Sequence, residues 1–418
     1  SYSNNNNFYK NNGGNIMSKK FNIATLMLAT SLAFVACSNK NSEDTDTKEN
    51  TAVEEKADET KDTAEKSKED EKTEVEETTD DDKDKLEENN MDEESEEKDK
   101  EETDDSDESS MEGNVVLHRA YPDEASRSFT NIVVATSGDK IVNAFIDEYQ
   151  YFDEDENYQG VPNSDKEFGQ GAKEGKVLAS KIENKQPYSE SMKQAGGKAS
   201  LMDNYNAVTD FVKGKTITEL EEFLDENDDE KIIDSLSGAT FKSTPSLLRY
   251  VVDAAKDDSY VIEGNADNPE DIELRYALGA PHGDNSFANA VVAVEGDKII
   301  AASIDEYQYI EEGITKQGEG SDFAKDYADS KTVLASKLEN NDLYSDLMKE
   351  KAKSTTSIKD NFEAIENFVA GKTIDEVKES ISNAKEGEAI ETVSGATLVD
   401  TAGYLQLIVD AAENAINK

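Results

Sequence analysis

Residues 129 to 151 read FTNIVVATSGDKIVNAFIDEYQY, two runs rich in β-branched and aromatic residues broken by Ser-Gly-Asp. Two such runs around a glycine turn predict a β-hairpin. FANAVVAVEGDKIIAASIDEYQY, at 287 to 309, predicts a second, with Glu-Gly-Asp at its turn. Downstream the period changes. VLASKIENKQPYSESMKQ from 177 and its partner from 333 carry helix-like spacing, and between Asn204 and Lys213 the residues Tyr205, Val208, Phe211 and Val212 share one helical face. A further helix is predicted with Thr244 as N-cap, Pro245 at its first position, and Leu247, Leu248, Val251, Val252 and Ala255 as its apolar stripe. Its counterpart has Thr401 in the cap place and Leu405, Ile408, Val409 and Ala412 in the stripe.

These segments repeat. Ser128-Phe129 matches Ser286-Phe287, GDKIV at 138 matches GDKII at 296, and IDEYQY at 146 recurs at 304. VLASK at 177 recurs at 333, Tyr188-Ser189 at Tyr344-Ser345, Asn204 at Asn361, GKTI at 214 at 371, and SGAT at 237 at 394. A repeat of this length is a duplicated domain rather than a solenoid. The expected fold class is α+β, as two tandem homologous domains at 113–256 and 285–418. Asn-Pro and Gly-Ala-Pro punctuation suggests a linker at 257–284.

Composition separates the rest of the chain. Between Ser38 and Glu112 stand 35 Asp or Glu against 11 Lys or Arg, with no aromatic residue, so this stretch is expected to be a disordered acidic linker. A net charge of −51 argues against nucleic acid, whose phosphates need basic patches. The one cysteine, Cys37, follows a basic start at Met17-Ser18-Lys19-Lys20 and an uncharged, largely apolar run from Phe21 to Ala36. This resembles a bacterial lipoprotein signal, which implies lipidation at Cys37, anchoring to the cell membrane on its extracellular face, and removal of 1–37 as signal peptide and upstream extension. The acidic stretch then serves as a long tether or as a solubilising spacer.

The strongest chemical signal is the tetrapeptide Ser237, Gly238, Ala239, Thr240, repeated at Ser394, Gly395, Ala396, Thr397, each just ahead of a predicted helix. Glycine permits unusual backbone angles, and a helix N-terminus favours an anion, so the corner suits a phosphate. With their flanks, DSLSGAT and ETVSGAT resemble the flavinylation motif D-x-x-[ST]-G-A-T of the FMN-binding domain family. Asp234 matches the leading acid, and Glu391 replaces it in the second copy. The resemblance implies covalent FMN, two per chain, esterified to Thr240 and Thr397 by an FMN transferase. The tandem arrangement on a lipoprotein is similar to flavoproteins of extracellular electron transfer in Gram-positive bacteria. It implies an electron carrier between a membrane quinone-linked dehydrogenase and extracellular electron acceptors, not an enzyme with its own substrate. A covalent bond makes sense outside a cell, where free flavin cannot be relied on to keep a noncovalent site filled.

Two other readings stay open: a surface module holding a noncovalent phosphorylated or anionic ligand at the same corner, and a flavin-dependent extracellular reductase. Tyr149, Tyr151, Tyr307 and Tyr309 either stack on the isoalloxazine ring or simply alternate along a sheet. The neighbouring Asp147, Glu148, Asp305 and Glu306 are expected on a solvated strand face, and His118 and His282 at the surface. No cysteine or histidine cluster has metal-ligand spacing, so no metal and no catalytic residue is assigned.

Overall fold

The computed structural model describes residues 113–122, 127–154, 157–314, 321–385 and 387–414. Cys37, the segment expected to be a signal and the acidic tract at 38–112 lie outside the described residues. In chain order the elements are β1 (Asn114–Ala120), β2 (Ser128–Ser137), β3 (Lys140–Asp153), β4 (Lys176–Ser180), α1 (Lys185–Gln194), α2 (Leu201–Val212), α3 (Ile217–Glu226), α4 (Asp229–Ser235), α5 (Thr244–Ala254), β5 (Val261–Asn265), β6 (Glu273–Gly279), β7 (Ser286–Glu295), β8 (Lys298–Glu311), β9 (Thr332–Ser336), α6 (Asn341–Ala352), α7 (Ile358–Val369), α8 (Ile374–Ser382) and α9 (Thr401–Glu413). Mixed helix and strand with two separate sheets is the α+β class.

Both predicted hairpins form. β2 pairs with β3, and β7 with β8, in the same register 158 residues apart and with a matching irregularity, at Ala135/Thr136 and at Ala293/Val294. The five-stranded sheet runs β4-β3-β2-β1-β5 and the four-stranded sheet β6-β7-β8-β9, every pair antiparallel. Two expectations change here. The stretch 257–284 is not an open linker, because it carries β5, which pairs with β1, and β6, which pairs with β7. Residues 177–194 are not one helix either, since Val177 to Ser180 belong to β4 and α1 begins only at Lys185.

All described residues belong to one compact unit, in which the two sheets pack face to face and helices cover their outer sides. Alternation along β3 and β8 explains the layering. The odd positions Tyr149 and Tyr307 turn toward the opposite sheet, whereas the even positions Glu148 and Glu306 receive hydroxyls from helices. Between the sheets the aromatic contacts come in reciprocal pairs. Phe129 meets Tyr307 at 5.4 Å and Phe287 meets Tyr149 at 5.6 Å; Tyr151 meets Phe323 at 4.8 Å and Tyr309 meets Phe168 at 5.1 Å. Tyr151 and Tyr309 join hydroxyl to hydroxyl at 2.5 Å. Reciprocity of this kind is what an isologous two-fold interface requires, here within one chain.

A single guanidinium sits in that interface. Arg119 is fully buried, and its Nη1 donates to Asn131 Oδ1 at 2.8 Å and to Asn289 Oδ1 at 2.9 Å, two residues in equivalent places. Its Nε and Nη2 donate to the hydroxyl and carbonyl oxygens of Ser303, each at 2.8 Å. By register, Tyr276 stands where Arg119 would be in the other half, and Phe145 where Ser303 would be. Those two rings meet at 5.1 Å. One half therefore closes the contact with ion and hydrogen bonds, the other with rings.

Candidate functional site

Each SGAT begins as a tight turn. Ala239 N–H donates to Leu236 C=O at 3.1 Å and Ala396 N–H to Val393 C=O at 3.2 Å, with Gly238 at φ +95° and Gly395 at φ +98° in the third place. Positive φ there is a type II requirement that glycine meets without a steric penalty. At Gly238 the surroundings are open, since an added Cβ would meet only Asp203 O, at 3.6 Å. Conformation, not crowding, selects glycine. Ser237, Gly238 and Thr240 are exposed and Ala239 is half-buried; Ser394, Gly395, Thr397 and Ala396 repeat that pattern.

What fixes the two threonines is a residue the sequence reading left without a role. Asn204, in the first turn of α2, is fully buried, and its Oδ1 accepts Thr240 N–H at 2.7 Å, Phe241 N–H at 2.8 Å and the Thr240 hydroxyl at 3.3 Å. Asn361, equally buried on α7, accepts Thr397 N–H at 2.7 Å and its hydroxyl at 3.2 Å. The other end of each amide is anchored too: Asn204 Nδ2 donates to Ser200 C=O and Asn361 Nδ2 to Ser357 C=O, both at 2.7 Å. Ser200 and Ser357 cap α2 and α7 through their side chains, so the clamp rests on ordered helix starts. Asn204 and Asn361 were visible as repeat partners, and nothing in the spacing showed what they bind.

The helices after SGAT start slightly differently from the expectation. Ser243 and Asp400 occupy the cap positions and neither caps through its side chain, while Thr244 and Thr401 are the first helical residues. Thr401 donates to Leu398 C=O at 2.6 Å; the buried Thr244 Oγ1 has no hydrogen-bond partner among the described residues. Asp400 Oδ2 lies 2.7 Å from His282 Nδ1. His282 is thus set against the helix behind Thr397.

Part of the corner's set of amides is already engaged within the chain. Thr240 N–H and Phe241 N–H are taken by Asn204, Thr244 N–H by Phe241 C=O at 3.3 Å, and Pro245 has none to give. In the second half Thr397 N–H is taken by Asn361 and Thr401 N–H by Leu398 C=O at 3.2 Å. A noncovalent phosphate cradle needs such donors free. A phosphoester needs only an exposed, oriented hydroxyl, and both corners supply one.

The tyrosine and acid candidates lie elsewhere. Tyr149, Tyr151 and Tyr307 are buried and Tyr309 nearly so, all within the aromatic layer between the sheets, so they do not present faces to a ligand at Thr240 or Thr397. Nor are the acids solvated. Asp147, Asp305 and Glu306 are fully buried, and the Glu148 side chain retains 14% exposure. His118 is buried as well, with Nε2 3.0 Å from Thr136 Oγ1 and Nδ1 3.1 Å from Asp257 O. The reason is shared: these strands are covered on both faces, and the four acids and His118 each have an internal partner, although the buried Tyr307 hydroxyl has none among the described residues.

Burial alone would push Glu148 and Glu306 up, but Lys181 at 3.1 Å and Lys337 at 2.6 Å, with neighbouring hydroxyls, hold both below the ordinary carboxylate value. Asp147 lacks a cation beside it. Burial carries it up to about 7, against hydrogen bonds from Ser180, Ile182 and Glu148. Glu366, 4% exposed, accepts Ile304 N–H at 2.7 Å, and burial pushes it up to about 8 against that bond and the pull of Arg119.

An acid whose pKa is raised on folding favours the native state at low pH, and that contribution is lost as pH climbs through the folded value. For Glu366 the window runs from the ordinary 4.5 up to about 8. Glu366→Gln keeps an oxygen for Ile304 and cannot ionise. It should therefore melt higher than the parent at about pH 8.5 and nearly with it at about pH 5, each unit of pKa shift being worth about 1.4 kcal/mol. Thermal melts followed by circular dichroism check this, and an equal shift at both pH values contradicts it.

Among the described residues no group of three or more His, Cys, Asp or Glu is placed to hold a metal ion, and no helix is long and apolar enough to cross a membrane. Comparison of the chain with protein-family models, with curated proteins and with solved structures finds no match.

Proposed function

We propose that the chain is a lipid-anchored electron carrier with two FMN-binding domains, one FMN esterified to Thr240 and one to Thr397. The observation that carries this reading is the duplicated corner: an exposed threonine hydroxyl whose main-chain N–H is locked to a buried asparagine, at 2.7 Å in both halves. The residues fit a phosphoester. Space beside Gly238 is open, both threonines are exposed, and asparagine engages the main-chain N–H of each. Bound there, FMN supplies one- and two-electron redox steps.

The chain's own contribution is to hold and to separate. Both acceptor threonines belong to one compact unit whose halves meet through a dry aromatic layer, so the two attachment points keep a fixed relation. A donor linked to membrane quinone and acceptors beyond the membrane complete the role, with Cys37 as the lipid anchor and an FMN transferase as the modifying partner. The test is the intact mass of the whole chain after coexpression with an FMN transferase. Two flavin-phosphate increments are the expected result. A chain of unmodified mass, from cells in which that transferase is active on another substrate, overturns the proposal.

A further inference from the structure

Resting on that reading, we infer that Asn204 and Asn361 are positioning residues for flavin attachment, each orienting the threonine hydroxyl that attacks phosphorus. The geometry is the same in both halves. The carboxamide oxygen takes the threonine N–H at 2.7 Å and lies 3.3 Å from Oγ1 of Thr240 and 3.2 Å from that of Thr397. With the hydroxyl proton directed inward at the amide, the oxygen lone pairs point to solvent, where the exposed threonine meets its modifying enzyme.

The amide orientation is dictated by its partners. Oδ1 faces two N–H donors in the first half, and Nδ2 faces the Ser200 carbonyl at 2.7 Å, so a flipped amide would set donor against donor and acceptor against acceptor. The asparagine end of the clamp is fully buried, and the threonine end is exposed. A hydrogen bond to a buried, doubly anchored amide biases the rotamer of the exposed threonine.

The threonine Oγ–H bond breaks and an Oγ–P bond forms. The flavin nucleotide donor is of the phosphoanhydride class, because an unactivated monoester lacks a leaving group. Its anhydride P–O bond breaks with the electron pair departing on the released phosphate, and the proton passes to a base of the transferase or to water. Asn204 and Asn361 take no proton. Their Oδ1 atoms still accept the threonine N–H in the ester, so the loop stays held after the hydroxyl proton is gone.

The experiment uses the full chain, purified without flavin, then incubated with an FMN transferase and its flavin nucleotide donor, with loading at Thr240 and Thr397 followed separately by peptide mass. In Asn204→Ala, loading at Thr240 should slow by on the order of 10–100-fold at saturating transferase, the usual cost of a misplaced reacting group, while Thr397 loads at the parent rate. Asn361→Ala should reverse the pattern. Asn204→Asp, which retains the accepting oxygen and can donate to the Ser200 carbonyl only when protonated, should restore part of the Thr240 rate, more at low pH than at high. Parent-like loading of Thr240 in Asn204→Ala, or equal slowing at both threonines, overturns the positioning role while leaving the carrier reading intact. A parent chain that loads neither threonine removes the carrier reading itself.

Discussion

Arg119→Ala should lower the stability of the folded chain by about 3–5 kcal/mol, the cost of breaking a buried charged network by removing one partner. The loss has three sources. Asn131 Oδ1, Asn289 Oδ1 and both oxygens of Ser303 lose their donor in a site without solvent. Asp305 and Glu366, whose carboxyls burial already pushes up, lose the cation that opposes the shift. A cavity replaces the largest of the fully buried side chains. The drop in Tm should be on the order of 10 °C, and a fall of less than about 2 °C would contradict the keystone role. Arg119→Tyr with Ser303→Phe copies the ring pair that Tyr276 and Phe145 form in the other half, and should recover part of the loss.

Thr240→Ala and Thr397→Ala should each abolish one covalent flavin and leave the other in place, so that single variants carry one and the double variant none. The effect is complete rather than graded because alanine offers no oxygen for an ester. Little structural cost accompanies it. Each threonine is exposed and its N–H bond to asparagine does not involve the side chain, so melting temperatures should remain close to the parent's. Denaturing gels read by flavin fluorescence, together with intact mass, give the count. Retention of two flavins in either single variant would place the attachment on another residue.

The sequence made the local elements legible wherever one face pattern dominated. IVVATSGDKIVNAFI declares a hairpin because β-branched residues flank a glycine turn, and the helix at Thr244 declares itself through proline and a spaced leucine and valine stripe. The segment 257–284 failed because its proline and glycine punctuation is real while the strands between are only five and seven residues long. Residues of that length, flanked by turns, look like connecting chain until a partner strand is known.

The acids misled for a related reason. Asp147 and Glu148 in a strand normally mean a wet face, yet here one points to an opposing sheet and the other under helices, and each is satisfied by residues 33 positions downstream, Ser180 and Lys181. The tyrosines offered two readings, and packing against their repeat counterparts selects the sheet reading over ligand contact. Asn204 was invisible as a site residue because its partner lies 36 residues away and is mostly main chain. Backbone donors leave no mark on sequence.

One difference between the halves bears on how they can change over time. Glu148 receives its phenol from Tyr205 on α2, whereas Glu306 receives its phenol from Tyr404 on α9, with Phe362 and Leu247 in the vacated places. Each acid keeps one aromatic hydroxyl, delivered along a different route. Recombination that copied α2 over α7, or α5 over α9, would give one carboxylate two claimants or leave the other with none. The helices of the two halves are therefore not interchangeable, however alike their hairpins remain.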